Sequence, residues 1–127
     1  MALNPKQIAA VMALPGPRRF EHFIKVVADR QQVWGLYDDG WALAGTDDGA
    51  AVFPFWPAEE YALACAANEW AAYTPRMIEV EDFMRGLLPG LEADGVLPGI
   101  FFTPASQGVT VPVDELLRAL EAELEKY

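Results

Sequence analysis

The 127-residue chain has little of what most catalytic and metal sites need. It contains one cysteine (Cys65), one histidine (His22) and one serine (Ser106), and its apolar runs are all short. A single cysteine excludes an intramolecular disulfide and a thiolate cluster for zinc, and no run reaches the roughly 18 apolar residues of a membrane-spanning helix. Basic residues are also scarce, with 9 Lys and Arg against 19 Asp and Glu. The resulting net charge of −10 argues against nucleic-acid binding, because an acidic surface repels phosphates.

The scarce nucleophiles lie in contexts that do not favour catalysis. Ser106 lies in the run 104–108, which matches only half of a G-x-S-x-G motif and follows a predicted strand without a helix behind it. Cys65 lies among alanines next to Tyr61 on a predicted buried helix face, which is typical of a structural thiol. His22 falls on the charged face of a predicted helix, as a surface histidine does. A Cys65–His22 dyad is the remaining nucleophilic alternative.

The acidic residues are distributed unevenly. Residues 1–30 carry five basic and two acidic residues, whereas residues 31–75 carry seven acids and no Lys or Arg. This pattern has two interpretations. It can be a solvated acidic face that keeps a small protein soluble, or a surface that attracts a basic partner.

Hydrophobic spacing and turn residues predict an α+β fold in a single domain, 1–127, with residues 1–16 as an N-terminal helical extension. We expect about five helices flanking a mainly antiparallel sheet. The first three predicted helices cover 4–13, 17–29 and 57–68. A fourth begins near 81 and ends or kinks at Pro89, and a fifth begins near 112. The predicted strands cover 76–80, 100–102 and 109–111, in addition to a three-stranded meander at about 32–56.

The meander is predicted from Asp39-Gly40 and Asp48-Gly49, two hairpin signals between β-favouring residues. Two-residue turns would set Asp38 opposite Trp41 and Val52 opposite Gly45. One face would then carry three of the four tryptophans. Its members are Trp34, Leu36, Trp41, Leu43, Val52 and Trp56. A slip of one residue would exchange the two faces of the sheet.

Several runs are distinctive. They are 33–43 (VWGLYDDGWAL), 53–61 (FPFWPAEEY) and 87–91 (LLPGL), followed by an acidic C-terminal helix. With these runs the chain resembles the bacterial family called domain of unknown function 2750, over about residues 17–125. The resemblance implies a small bacterial protein and brings no catalytic residues, because that family has no assigned activity.

The pairs Asp38-Asp39 and Asp47-Asp48 are the only candidate ligands for a metal site in the sequence. They lie at opposite ends of the predicted meander, so they are better explained as turn residues, and we expect no metal or other cofactor. Aromatic side chains ringed by carboxylates would instead suit a basic peptide. The leading hypothesis is therefore a non-catalytic interaction module, for example an immunity-like inhibitor of a basic active site. Its predicted binding residues are Trp34, Asp38, Asp39, Trp41, Asp47, Asp48, Trp56 and Glu59.

Two alternatives stay open. One is a small enzyme, either metal-dependent with carboxylate ligands or acting on a small molecule, and the other is a homodimer formed through the apolar sheet face. The N-terminus lacks the pattern of a signal peptide, and together with the lone thiol this predicts a cytoplasmic protein without membrane contact.

Overall fold

The fold is built from short elements that agree with the predicted class, α+β. The computed structural model describes residues 4–45, 49–105 and 107–127. Its helices are α1 (Pro5–Met12), α2 (Gly16–Arg30), α3 (Glu59–Cys65), α4 (Val80–Asp82), α5 (Leu88–Asp94) and α6 (Val113–Leu124). Its strands are β1 (Gln32–Tyr37), β2 (Ala44–Gly45), β3 (Ala51–Phe55), β4 (Thr74–Glu79), β5 (Leu97–Ile100) and β6 (Val109–Thr110).

Helix α1 begins as its sequence predicts. The Asn4 side chain accepts a hydrogen bond from the Gln7 backbone N–H (2.8 Å), and the Gln7 side chain accepts one from the Asn4 N–H (3.1 Å). This reciprocal capping box satisfies two N–H groups that the first helical turn leaves without partners. Pro5 follows the cap, where its missing N–H costs nothing. No residue of α1 is buried, so the helix lies on the surface of the domain.

Helices α2 and α6 pack on each other through their apolar stripes. Phe23, Ile24 and Val27 of α2 are buried, as are Leu116 and Leu120 of α6. Both stripes repeat at three- and four-residue spacing, which places their members on one side of a helix. None of the helices among the described residues is long and apolar enough to cross a membrane.

The described strands form two sheets. Strands β1 and β4 make an antiparallel pair, and the second sheet has the order β2-β3-β5-β6. Within the second sheet β3 and β5 are parallel, while β2–β3 and β5–β6 are antiparallel. Antiparallel pairing therefore predominates, as expected. The chain between β3 and β5 carries α3, β4, α4 and α5, which is the long connection that parallel neighbours require.

The segment 32–56 does fold back on itself twice, but with a different register from the one predicted. Tyr37, not Asp38, lies opposite Trp41, and Ala51, not Val52, lies opposite Gly45. The first turn therefore contains three residues, 38–40, of which Asp39 and Gly40 adopt positive φ values (54° and 156°). The contact between the first two strands is reduced to an isolated bridge. The full-length partner of β1 is the distant strand β4.

The fourth predicted helix does not end at Pro89. Helix α4, a π-helical turn (Phe83–Leu87) and α5 follow one another and form one helical run from 80 to 94. Pro89 lies in the first turn of α5, directly after the wider π turn. Proline has no N–H to donate to the preceding turn, and here the wider π turn occupies that position. The run continues until Gly95 ends it with a left-handed φ of 72°.

Other boundaries also differ from the prediction. Helix α3 covers only Glu59–Cys65 of the predicted 57–68, and a 3₁₀ turn (Asn68–Trp70) follows it. Strand β5 ends at Ile100 because Phe101 has a left-handed φ of 66°, which extended pairing cannot accommodate. The buried side chains nevertheless form one hydrophobic cluster that includes Phe55, Trp56 and Phe83. One such core is the signature of one domain.

Candidate functional site

The acidic turn of the predicted surface is exposed. Asp38 and Asp39 are both exposed, directly after β1. The turn is closed by the Asp38 N–H, which donates to the Gly40 carbonyl at 2.9 Å. Both carboxylates therefore stand at the tip of a short, hydrogen-bonded turn. Leu43, a little further along the chain, keeps 53% of its surface exposed, so an apolar group lies near the acids in sequence.

An aromatic row leads from this turn into the core. The Tyr37 and Trp41 rings meet edge to face with centroids 5.2 Å apart, and Trp41 lies 5.5 Å from Phe53. Phe53 stacks on Phe55 at 4.5 Å. Tyr37 and Trp41 are half-buried, whereas Phe53 and Phe55 are buried. Tyr37 and Trp41, the outer end of the row, are thus supported by the buried rings of the core.

A cation from the chain itself covers the outer end of the row. The Arg76 guanidinium of β4 lies 4.4 Å from the Tyr37 ring centroid and 5.8 Å from that of Trp41. Both distances fall within the range of cation–π attraction. The sequence predicted such contacts with a partner's Lys or Arg, but here one Tyr37 face is already occupied. Arg76 was missed because only the pairing of β1 with β4 brings it next to Gly35 and this cluster.

The three tryptophans of the predicted face do not share one face. Trp34 and Trp56 exchange two backbone hydrogen bonds, of 2.9 and 2.8 Å, and so lie side by side. Trp41 instead pairs with Tyr37 and packs against Gly35, on the opposite side of β1 from Trp34. The one-residue difference in register is the cause.

Trp56 is a core residue. Its side chain is fully buried, and its Nε1–H donates to the Phe102 carbonyl at 2.9 Å. It is therefore not available as a surface anchor, whereas Trp34 is half-buried. The fourth tryptophan, Trp70, packs edge to face on Trp56 with centroids 6.2 Å apart.

The remaining predicted binding residues are separated from this cluster or undescribed. Glu59 is exposed at the first position of α3, where the helix dipole favours a carboxylate. Asp47 and Asp48 lie outside the described residues. Within the described ranges, no group of three or more His, Cys, Asp or Glu side chains is arranged to hold a metal ion.

The candidate nucleophile and base occupy different cavities. Cys65 borders a cavity of about 510 Å³, together with Trp70 and Phe102. Its thiol donates to the Phe102 carbonyl at 3.3 Å, and burial raises its pKa to about 11. His22 borders a second cavity, of about 360 Å³. The thiol is thus protonated at neutral pH and borders a different cavity from the imidazole, which argues against the Cys65–His22 dyad. Ser106 lies outside the described residues.

His22 is less exposed than its place among charged residues predicts. It is half-buried, with its ring centroid 6.2 Å from both Tyr61 and Phe101. Burial lowers the pKa of His22 below its ordinary 6.5, and the charges of Arg30 and Lys25 lower it further. The imidazole is therefore neutral at pH 7. This environment could not be predicted from the sequence, because Phe101 is 79 positions away from His22.

The family comparison covers most of the chain. A family model described as a protein of unknown function, DUF2750, matches residues 20–120. The chain belongs to this family. The matched range begins within α2 and leaves α1 outside. No curated protein and no solved structure matches the chain significantly. Family membership therefore supports the predicted resemblance and assigns no activity.

Proposed function

We propose that the chain is a protein-interaction module that binds a basic partner through the acidic turn and the half-buried aromatics behind it. The observation that carries this proposal is the placement of two exposed carboxylates, Asp38 and Asp39, directly beside Tyr37 and Trp41. Aromatic anchors next to charged rim residues are the usual composition of an interaction hot spot.

The charge of the surrounding sequence supports a basic partner. Residues 31–75 contain seven acids and no Lys or Arg, so the turn lies in the most acidic third of the chain. Opposite charge accelerates association and excludes like-charged competitors. An inhibitor that covers a basic active site would use such a surface, and the expected location is the cytoplasm, where a lone thiol stays reduced.

Arg76 gives the proposed surface a specific geometry. Its guanidinium covers Tyr37 from one side, which fixes the ring without neutralising Asp38 or Asp39 through a salt bridge. None of the salt bridges found within 4–45, 49–105 and 107–127 includes these three residues. Both carboxylates are therefore available to a partner's cations.

The test compares three tagged proteins as baits in a native bacterial lysate. They are the wild type, the double variant Asp38→Asn/Asp39→Asn and the control Glu92→Gln/Asp94→Asn, which removes the same charge from exposed positions on α5. We expect one stoichiometric basic protein that the wild type and control retain and the double variant loses. Raising the salt to about 1 M should release it, because the Debye length then falls to about 3 Å.

The purified partner then gives the affinity directly by calorimetry. Two exposed charge contacts should change the dissociation constant by about three- to tenfold. Equal binding by all three baits contradicts the role of the acidic turn. The absence of any partner at either salt concentration contradicts the interaction module itself, and would favour the small-molecule alternative, for which the cavities provide the space.

A further inference from the structure

A cavity between α1, α2 and α3 has the composition of a small-molecule site. Its volume is about 360 Å³, at the lower end of the range for such sites. Apolar side chains make most of its wall, with a few polar groups among them, which is the usual pattern of a ligand pocket. The lining residues are Gln7, Ala10, Val11, His22, Val26, Arg30, Ala58 and Tyr61.

The polar part of this lining suits an anion. Among the residues that the structure describes, no Asp or Glu lines the cavity, although acids outnumber basic residues 19 to 9 in the chain. Arg30 contributes a guanidinium, which can only donate hydrogen bonds, and Gln7 contributes an amide. Burial is the main cause of the lowered pKa of His22, and the positive charges of Arg30 and Lys25 lower it further.

Arg30 is available to a ligand. It also borders a neighbouring cavity together with Glu79 and Glu81, yet no salt bridge joins it to either carboxylate in the described ranges. A guanidinium at the mouth of an apolar cavity recognises a carboxylate through two parallel hydrogen bonds.

The inner side of the cavity is held rigidly. His22 and Tyr61 meet edge to face, and both pack on Phe101, whose centroid lies 4.8 Å from that of Tyr61. Phe101 is fully buried and keeps a left-handed φ of 66°, a conformation that a bulky side chain rarely adopts. Phe101 thus supports from behind the two rings that line the cavity, His22 and Tyr61.

We propose that this cavity binds a small organic acid, with its apolar body between α1, α2 and Tyr61 and its carboxylate on Arg30. The ligand belongs to the class of short aliphatic or single-ring aromatic carboxylic acids, which a volume of about 360 Å³ accommodates. The inference is independent of the acidic turn, which belongs to a different part of the surface.

The test uses benzoate and hexanoate as probes and benzyl alcohol as the uncharged counterpart of benzoate. Binding is followed by NMR, with the ring protons of His22 as a local reporter, since the chain has only one histidine. We expect saturable shifts of the His22 signals with at least one carboxylate, and about tenfold weaker binding of benzyl alcohol. The absence of saturable shifts with both carboxylates would overturn the proposal.

Two variants with matched controls locate the site. Arg30→Gln should weaken carboxylate binding about tenfold and leave benzyl alcohol unchanged, whereas Arg18→Gln, on the same helix but outside the lining, should change neither. Ala10→Phe should fill the cavity and abolish binding of all probes, whereas Ala9→Phe, beside it on α1, should not. Unchanged binding in both Arg30→Gln and Ala10→Phe would place the probes elsewhere and refute the inference.

Discussion

Gly35 is the residue whose replacement tests the observed register most directly. A Cβ at this position would lie 2.8 Å from Cζ3 and 3.0 Å from Cε3 of Trp41, and 3.6 Å from Phe53. Gly35→Ala therefore forces the Trp41 ring outward, away from Phe53. Overpacking of this kind costs about 1–3 kcal/mol, and the lower entropy of the unfolded alanine chain returns about 0.4–1 kcal/mol. We expect a net loss of about 1–2 kcal/mol in the free energy of unfolding.

Urea denaturation measures this loss, and the NMR signal of the Trp41 indole N–H reports whether the ring has moved. Gly90→Ala is the matched control, because nothing lies within 4 Å of its added methyl group and Gly90 lies in helix α5. That variant should gain about 0.5–1 kcal/mol. If Gly35→Ala were as stable as the wild type and left the Trp41 signal in place, Trp41 would not cover Gly35. The register predicted from two-residue turns would then be favoured.

Two further predictions concern the titratable side chains. The pKa of His22 is lower in the folded protein than its ordinary 6.5, so the unfolded chain binds the proton more tightly. The free energy of unfolding should therefore fall as the pH drops from 7.5 through 6.5 to the folded pKa. His22→Gln should remove this part of the pH dependence in urea titrations, and an NMR pKa at or above 6.5 would contradict the reasoning. Burial raises the pKa of Cys65 to about 11, so its thiolate fraction at pH 8 is about 100-fold below that of a thiol with the ordinary 9.0. A thiol reagent should therefore label the native protein slowly and the urea-unfolded chain rapidly, and equal rates would mean that the thiol is exposed.

Local signals predicted the elements well. Asn4 and Pro5 mark the start of α1, because a helix cap depends on residues within one turn of the chain. The apolar stripe of α2 likewise predicts its buried face, because helical periodicity is a property of the segment alone.

The pairing of strands was less predictable, since it depends on residues far apart in the chain. Asp39-Gly40 marks a turn in the sequence, but whether the turn holds two or three residues depends on how Trp41 packs over Gly35. The number of residues in the turn then determines which tryptophans lie on the same face of the sheet. The cation at the proposed surface was missed for the same reason, because Arg76 reaches Tyr37 only through the β1–β4 ladder.

The organic-acid cavity could not be predicted from spacing either. Its lining comes from three helices and the residue Ala58. No sequence motif in one of these segments indicates that it packs against another. His22 and Arg30 lie eight positions apart on α2, but this spacing alone is common on any charged helix.

Strand β4 has a consequence for the behaviour of the protein at high concentration. Within the described chain it is paired on one side only, with β1, so its other edge has no strand partner there. Open edges of this kind recruit strands from other molecules and start aggregation. Here Pro75 removes one of the N–H groups that an incoming strand would need, and exposed charges on Arg76 and Glu79 oppose close approach. The strand that positions Arg76 over Tyr37 thus also opposes edge-to-edge pairing between the sheets of two copies of the protein.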